Sequence, residues 1–153
     1  MLNGPNLGRL GSREPEVYGT ATLDDLAEAC VAAGRELGLH VEVRQTDDEA
    51  ELVGWVHEAA DGRVPVVLNP AAFTHYSYAL RDALAMRTAP LVEVHLTNPA
   101  AREAFRHISV VAGVADGTVA GFGVLSYELA LRAVASMIAQ RAPRRGVEGG
   151  SPP

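Results

Sequence analysis

The hydrophobic positions of this chain alternate between a helical and a strand period from one end to the other. Leu23, Leu26, Ala27, Cys30, Val31 and Leu37 follow the spacing of one buried helix face. Thr22-Leu23-Asp24-Asp25 reads as a capping box that opens this helix, and Gly38 suits its end. Leu39 to Arg44 alternates like a strand with one buried face. Asp47 and Asp48 can cap a second helix that sets Leu52, Val53, Val56 and Ala60 on one side. Pro65 to Asn69 reads as a short buried strand ending on a polar residue. A helix from about Ser77 to Met86 carries Leu80, Ala83 and Leu84 inward, and Leu91 to Leu96 is the next strand. Residues 98–109 read as loop with a short helical turn, and Thr118 to Gly121 as a brief strand. The final helix, roughly Ser126 to Gln140, buries Leu129, Ala130, Ala133, Val134 and Met137. Residues 142–153 are rich in Pro, Gly and Arg and are expected to be a disordered tail, leaving one domain over residues 1–141.

Strands alternating with helices imply an α/β fold, a parallel sheet covered by helices on both faces. Ligands in such sheets bind beyond the carboxyl ends of the strands. Asn6, Asn69 and His95 each sit at or just past such an end, so they are expected to converge on one crevice. Only Met1 and Leu2 precede the first loop, so the first strand is expected to be truncated, as if the start lay a few codons late. Such a loss would leave neighbouring strands with unpaired backbone.

Composition narrows the chemistry. The chain has 153 residues, 48% of them hydrophobic, enough for one real core. A net charge of −6 with no basic block argues against nucleic acid as a partner. All 13 basic residues are arginine, which removes Schiff-base lysines, pyridoxal anchors and the phosphate lysine of a P-loop. The lone Cys30 excludes an internal disulfide and reads as a buried, inert thiol. No apolar run is long enough to span a membrane and no signal-peptide pattern precedes the first motif, so a soluble cytoplasmic protein is expected. No histidine pair has metal-ligand spacing with a third ligand, so no metal is expected.

The segment Asn3 to Gly19 is the most informative stretch. It is too polar for core and too rich in glycine and proline for helix or strand, yet it holds an amide pair, Arg9, Arg13 and Tyr18. Tyrosine beside arginine is a candidate base, because positive charge favours the anionic form of a phenol. An ordinary phenol, with a pKa of about 10, is ionised about one part in a thousand at neutral pH. A cation about 4 Å away supplies roughly 4 kcal/mol at an effective dielectric near 20, more than the roughly 2.7 kcal/mol that a two-unit change needs.

Four blocks carry a resemblance. They are Asn3 to Gly19, Asn69-Pro70-Ala71-Ala72-Phe73-Thr74-His75, Val92-Glu93-Val94-His95 with Thr97-Asn98, and Arg102-Glu103-Ala104-Phe105-Arg106-His107. In this order they resemble type II 3-dehydroquinate dehydratase, the small dehydroquinase of the shikimate pathway. The resemblance implies a flavodoxin-like three-layer sandwich. It also implies anti elimination of water from 3-dehydroquinate through an enolate, without metal, Schiff base or cofactor. By position, Tyr18 resembles the base that takes the C2 proton and Arg13 the residue that brings it toward phenolate. Asn6 resembles the group that holds a water against the enolate oxygen. His95 resembles the acid that protonates the departing C1 hydroxyl, and Glu93 the residue that orients it. Asn69, His75 and Arg106 match substrate-hydroxyl contacts, and the Leu96 and Thr97 amides match the carboxylate contact. Asp82 matches a residue that reaches a neighbouring subunit's site, and a homo-oligomer, a dodecamer built of trimers, is implied.

Some residues admit two readings. His75 is either a structural residue at the start of a helix or a substrate contact, Glu93 an orienting or an outward-facing residue, and Asp82 a surface charge unless the chain assembles. Arg9, His40 and His57 read as solvated side chains, and His107 is left open. Tyr76, Ile108, Leu96-Thr97 and Leu125-Ser126 depart from the family pattern without removing a catalytic group. A flavin or phosphate module on the same fold is disfavoured, since Pro5 lacks the N–H a phosphate nest needs. An inactive homologue kept for its assembly is the other alternative, and it depends on the truncated start.

Overall fold

The structure, a computed structural model, describes residues 1–141; the expected tail lies outside the described residues. In chain order the elements are β1 (Leu2–Asn3), α1 (Pro15–Tyr18), α2 (Leu23–Glu36), β2 (Arg44–Gln45) and α3 (Glu49–Gly62). They continue with β3 (Val66–Asn69), α4 (Tyr78–Ala85), β4 (Leu91–His95), β5 (Gly117–Ala120) and α5 (Leu125–Arg141), with 3-10 turns between several of them. The strands form one parallel sheet in the order β2-β1-β3-β4-β5. This is the flavodoxin-like order, and the chain reverses its direction of travel between β1 and β3, where a crevice opens at the carboxyl ends.

Strand alternation divides the core into two layers. Val67, Val92 and Val94 face Leu26, Cys30 and Ala33 of α2 and Ala130, Leu131 and Val134 of α5. Val66, Leu68 and Leu91 face Leu52 and Val56 of α3 and Leu80, Ala83 and Leu84 of α4. Because side chains two apart share a face, Glu93 and His95 continue the Leu91 row, whereas Asn69 continues the Val67 row. Cys30 is buried as expected, and burial pushes its thiol up to about 11. Helix starts follow the side chains that announced them. Thr22 and Asp25 complete a reciprocal capping box, Asp48 caps α3, and Ser77 caps α4.

The first strand is short as expected, though its neighbours stay paired, and two other expectations change. The first strand is present but two residues long: Leu2 pairs with Arg44 and Leu68, and Asn3 with Gln45 and Asn69. It therefore lies centrally, with a ladder on each side. First, strand β2 is confined to Arg44–Gln45, although Leu39 to Arg44 carries the alternation. The Arg44 amide bonds the Met1 carbonyl and the Met1 amino group donates to the Glu42 carbonyl at 2.6 Å, so residues 39–43 meet the chain ahead of β1 through one backbone bond rather than a ladder. Their pattern survives as packing, with Leu39, Val41 and Val43 against the α2–α5 layer. Second, the opening segment is not free of helix. Asn6 in a left-handed conformation starts a 3-10 turn over Leu7–Arg9, and Pro15 opens the single turn of α1. Proline's fixed φ suits that first helical position, while buried Leu7 and Leu10 pin the segment to the core.

Candidate active site

Three strand ends deliver the site. Beyond β1 the chain turns through Gly4, whose amide donates to the Asn69 carbonyl at 2.8 Å. A Cβ on Gly4 would lie 2.7 Å from the Pro70 carbonyl oxygen, so only glycine lets these two loops approach. Between them opens a cleft of about 210 Å³. Asn6, Arg13, Tyr18, Asn69, His75, His95, Leu96, Thr97 and Arg106 all line it, so the expected convergence of Asn6, Asn69 and His95 is observed. Glu93 lies beneath it rather than in its wall, and Asp82 is exposed on α4, away from the cleft of its own chain. The lining side chains include three guanidiniums, two imidazoles and no carboxylate. Such a wall suits a small anion.

Tyr18, at the end of α1, turns its hydroxyl to Arg102, whose Nη1 donates to it at 2.8 Å. That guanidinium also lies 5.2 Å from the ring centroid. Arg13 meets the ring from 5.4 Å and pairs with Glu14 at 3.4 Å. The cation at the phenolic oxygen is therefore Arg102, which opens the Arg102–His107 block and for which the resemblance implied no role. Its own loop is held by His107, whose Nε2 bonds the Arg102 carbonyl at 3.0 Å.

His95 ends β4 and is mostly covered. Its Nε2 lies 2.7 Å from Glu93 Oε1, the short reach expected of side chains two apart on one strand face. Glu93 is fully buried. Burial pushes its carboxyl toward the neutral form, but hydrogen bonds from His95, Thr74 and Ser109 together with the imidazole charge outweigh it and hold the pKa below the usual value. The reading of Glu93 as outward-facing is thus excluded.

Asn69 is almost completely buried, and its amide donates to the Tyr127 hydroxyl at 2.8 Å. Tyr127 passes its own proton to Asn3 Oδ1 at 2.7 Å, linking the ends of β1 and β3 through α5. His75 Nδ1 bonds the Ile108 carbonyl at 2.8 Å, and since a carbonyl only accepts, Nδ1 carries the proton and Nε2 is left for the cleft. The ring of Phe105 stands edge-on to His75 at 5.8 Å. Arg106 is fixed by Glu103 at 2.7 Å. Among the departures from the family pattern, Tyr76 and Ile108 are exposed and lie outside the cleft wall. Buried Ser126 accepts the Phe122 amide at 3.0 Å ahead of α5. No cluster of three metal-ligating side chains occurs among the described residues, and no described helix is long and apolar enough to cross a membrane.

Comparison with known proteins identifies the family. The family model described as dehydroquinase class II matches residues 1–135. The 3-dehydroquinate dehydratase of Salinispora tropica is 64% identical over 136 residues, covering 89% of this chain and 95% of its own. That of Salinispora arenicola is 66% identical over 131 residues, covering 86% and 92%. The crystal structure of type II dehydroquinase from Propionibacterium acnes superposes with a TM-score of 0.87 at 61% identity, over 88% of this chain and 93% of that one. With its motifs, its strand order and its cleft all in accord, the chain belongs to the class II dehydroquinase family.

Proposed function

We infer that this protein is a 3-dehydroquinate dehydratase, which removes water from 3-dehydroquinate to give 3-dehydroshikimate, and we propose how its residues divide the work. The Tyr18 oxygen takes the C2 proton. Arg102 compensates the negative charge on that oxygen by direct hydrogen bonding, and Arg13 adds charge at the ring face. Asn6 holds a water against the developing enolate oxygen. His95 then delivers a proton to the departing C1 hydroxyl, so that the C–O bond breaks with release of water. Glu93 orients and charge-balances His95. Asn69, His75 and Arg106 receive the substrate hydroxyls, and the backbone amides of Leu96 and Thr97 receive its carboxylate. The observation that carries this reading is the Arg102–Tyr18 hydrogen bond on the wall of an arginine-rich cleft that His95 also lines.

Assembly completes the proposal. Asp82 acts in a neighbouring subunit's cleft within a homo-oligomer, a dodecamer of trimers. Tyr78, one turn before Asp82 on the same face of α4, is 69% exposed, and Phe105 and Ile108 near the cleft mouth are 59% and 68% exposed. A cytoplasmic location also belongs to the proposal. The single cysteine, a free thiol among the described residues, supports it, and cell fractionation checks it.

The reaction creates a conjugated enone, so ultraviolet absorbance follows it directly. The purified protein should turn over 3-dehydroquinate, and Tyr18→Phe should lower kcat by about 10² to 10⁴-fold while substrate still binds. Near-normal turnover by this variant would remove Tyr18 as the base. Borohydride added with substrate should leave activity intact, since the chain has no lysine to trap.

A further inference from the structure

Beneath His95, two hydroxyl side chains that do not line the cleft converge on the Glu93 carboxylate. Thr74 Oγ1 bonds Glu93 Oε1, and Ser109 Oγ lies 3.1 Å from each carboxylate oxygen and 2.7 Å from Thr74 Oγ1. A hydroxyl has one proton to give and two lone pairs to receive with. Both lone pairs of Ser109 are taken, by the amides of Val111 at 3.1 Å and Ala112 at 2.9 Å. Its proton must therefore point toward Thr74 and Glu93. Thr74 Oγ1 then accepts from Ser109 or faces a filled donor there, and in either case its own proton goes to Glu93. Every polar neighbour of the carboxylate is consequently a donor.

From this geometry we propose that Ser109 and Thr74 are positioning residues for the dehydration. They lock Glu93 as a pure acceptor, which fixes the proton of His95 on Nε2 and leaves Nδ1 as the nitrogen that serves the cleft. The two backbone amides at the 3-10 turn Ala112–Val114 thus decide, through one serine, which face of the imidazole can deliver a proton. The depressed acidity range of this buried carboxyl, in which the facing charge is that of His95, agrees with that arrangement. The inference rests on His95 as the acid in the proposed function, but the tautomer it fixes is measurable without any turnover.

Thr74 is 1% exposed, so Thr74→Val removes the hydroxyl at nearly constant volume and is the cleaner variant; Ser109→Ala is the stronger one. In wild type, at a pH where the His95 ring is neutral, its ¹⁵N shifts should report the proton on Nε2. In Thr74→Val and Ser109→Ala, kcat should fall about tenfold or more with KM within about threefold. Removing a hydrogen bond to the charged form raises an acid's pKa, so the acidic limb of the kcat profile should move up by about one pH unit. Ser109→Thr, which keeps the hydroxyl, should restore both. Thermal melts establish that each variant is folded. An Nδ1-protonated neutral His95 in wild type overturns the proposal, as does a folded Thr74→Val enzyme with unchanged kcat and pH profile. Absence of dehydratase activity in wild type would instead overturn the proposed function, and the ring shifts would still test the hydroxyl lock.

Discussion

Arg102 and Arg13 meet one aromatic ring in different ways, and the difference predicts unequal consequences. Arg102 reaches the phenolic oxygen and sits with its side chain 17% exposed, whereas Arg13 faces the ring and is 40% exposed. A charge-assisted bond in a covered site is worth more than a cation over a ring near solvent. Arg102→Met should therefore lower kcat by about tenfold more than Arg13→Met, with both proteins folded. Comparing the two single variants by the absorbance assay checks this; a larger loss from Arg13→Met would return the main role to Arg13. Sequence position identified Arg13 because it lies five residues from Tyr18 in a recognisable segment. Arg102 is 84 residues away, and only the folding of β4's following loop back over α1 brings it to the ring. Nothing local to either residue signals that meeting.

At the level of elements, the local chemistry was legible wherever a side chain acts on its own backbone. Thr22, Asp48 and Ser77 announced α2, α3 and α4 because a cap is satisfied within a few residues. The contact of Glu93 with His95 came from the family resemblance, and the strand face they share accounts for it. What escaped was pairing. Leu39 to Val43 has strand alternation without a strand, since a ladder depends on what lies opposite, and β1 supplies only a short partner. The opening segment escaped for the converse reason: glycine and proline, which argue against long helices, permit single turns at Leu7–Arg9 and Pro15–Tyr18. The Asn3–Tyr127–Asn69 link was also hidden, because it joins α5 to two strand ends across the core. This clamp and the Gly4 crossing do what a longer β1 would do through its ladder. Gly4→Ala would force a Cβ to 2.7 Å from Pro70 oxygen, a backbone atom that cannot swing aside. It should cost about 1–3 kcal/mol in stability and part the loops carrying Asn6 and Asn69. Denaturant melts measure the first effect and substrate affinity the second; unchanged values for both would mean that the two loops separate without cost.

For the molecule as a whole, the chain's own residues line the cleft, and Asp82 stands outside it. A residue of this kind can act only where a second copy brings its α4 to the first copy's cleft. Exposed Tyr78 on the same helix face gives such a meeting an apolar surface to bury. The proposed assembly therefore predicts directional complementation. An Asp82→Ala subunit keeps its own Tyr18 and lacks what it gives its neighbour; a Tyr18→Phe subunit has a dead cleft but still donates Asp82. Each homogeneous assembly should lose most of its turnover. When the two are dissociated, mixed in equal amounts and reassembled, a site works if its own chain supplies Tyr18 and its neighbour supplies Asp82. With random assortment and one donating neighbour, about a quarter of wild-type activity should return. Light scattering on the same samples gives the mass of the assembly in which that recovery occurs. Recovery fails if Asp82 serves its own chain, because then every mixed site still lacks either Tyr18 or Asp82. It also fails if the chain is monomeric, because mixing then changes nothing and the scattering mass stays that of one subunit.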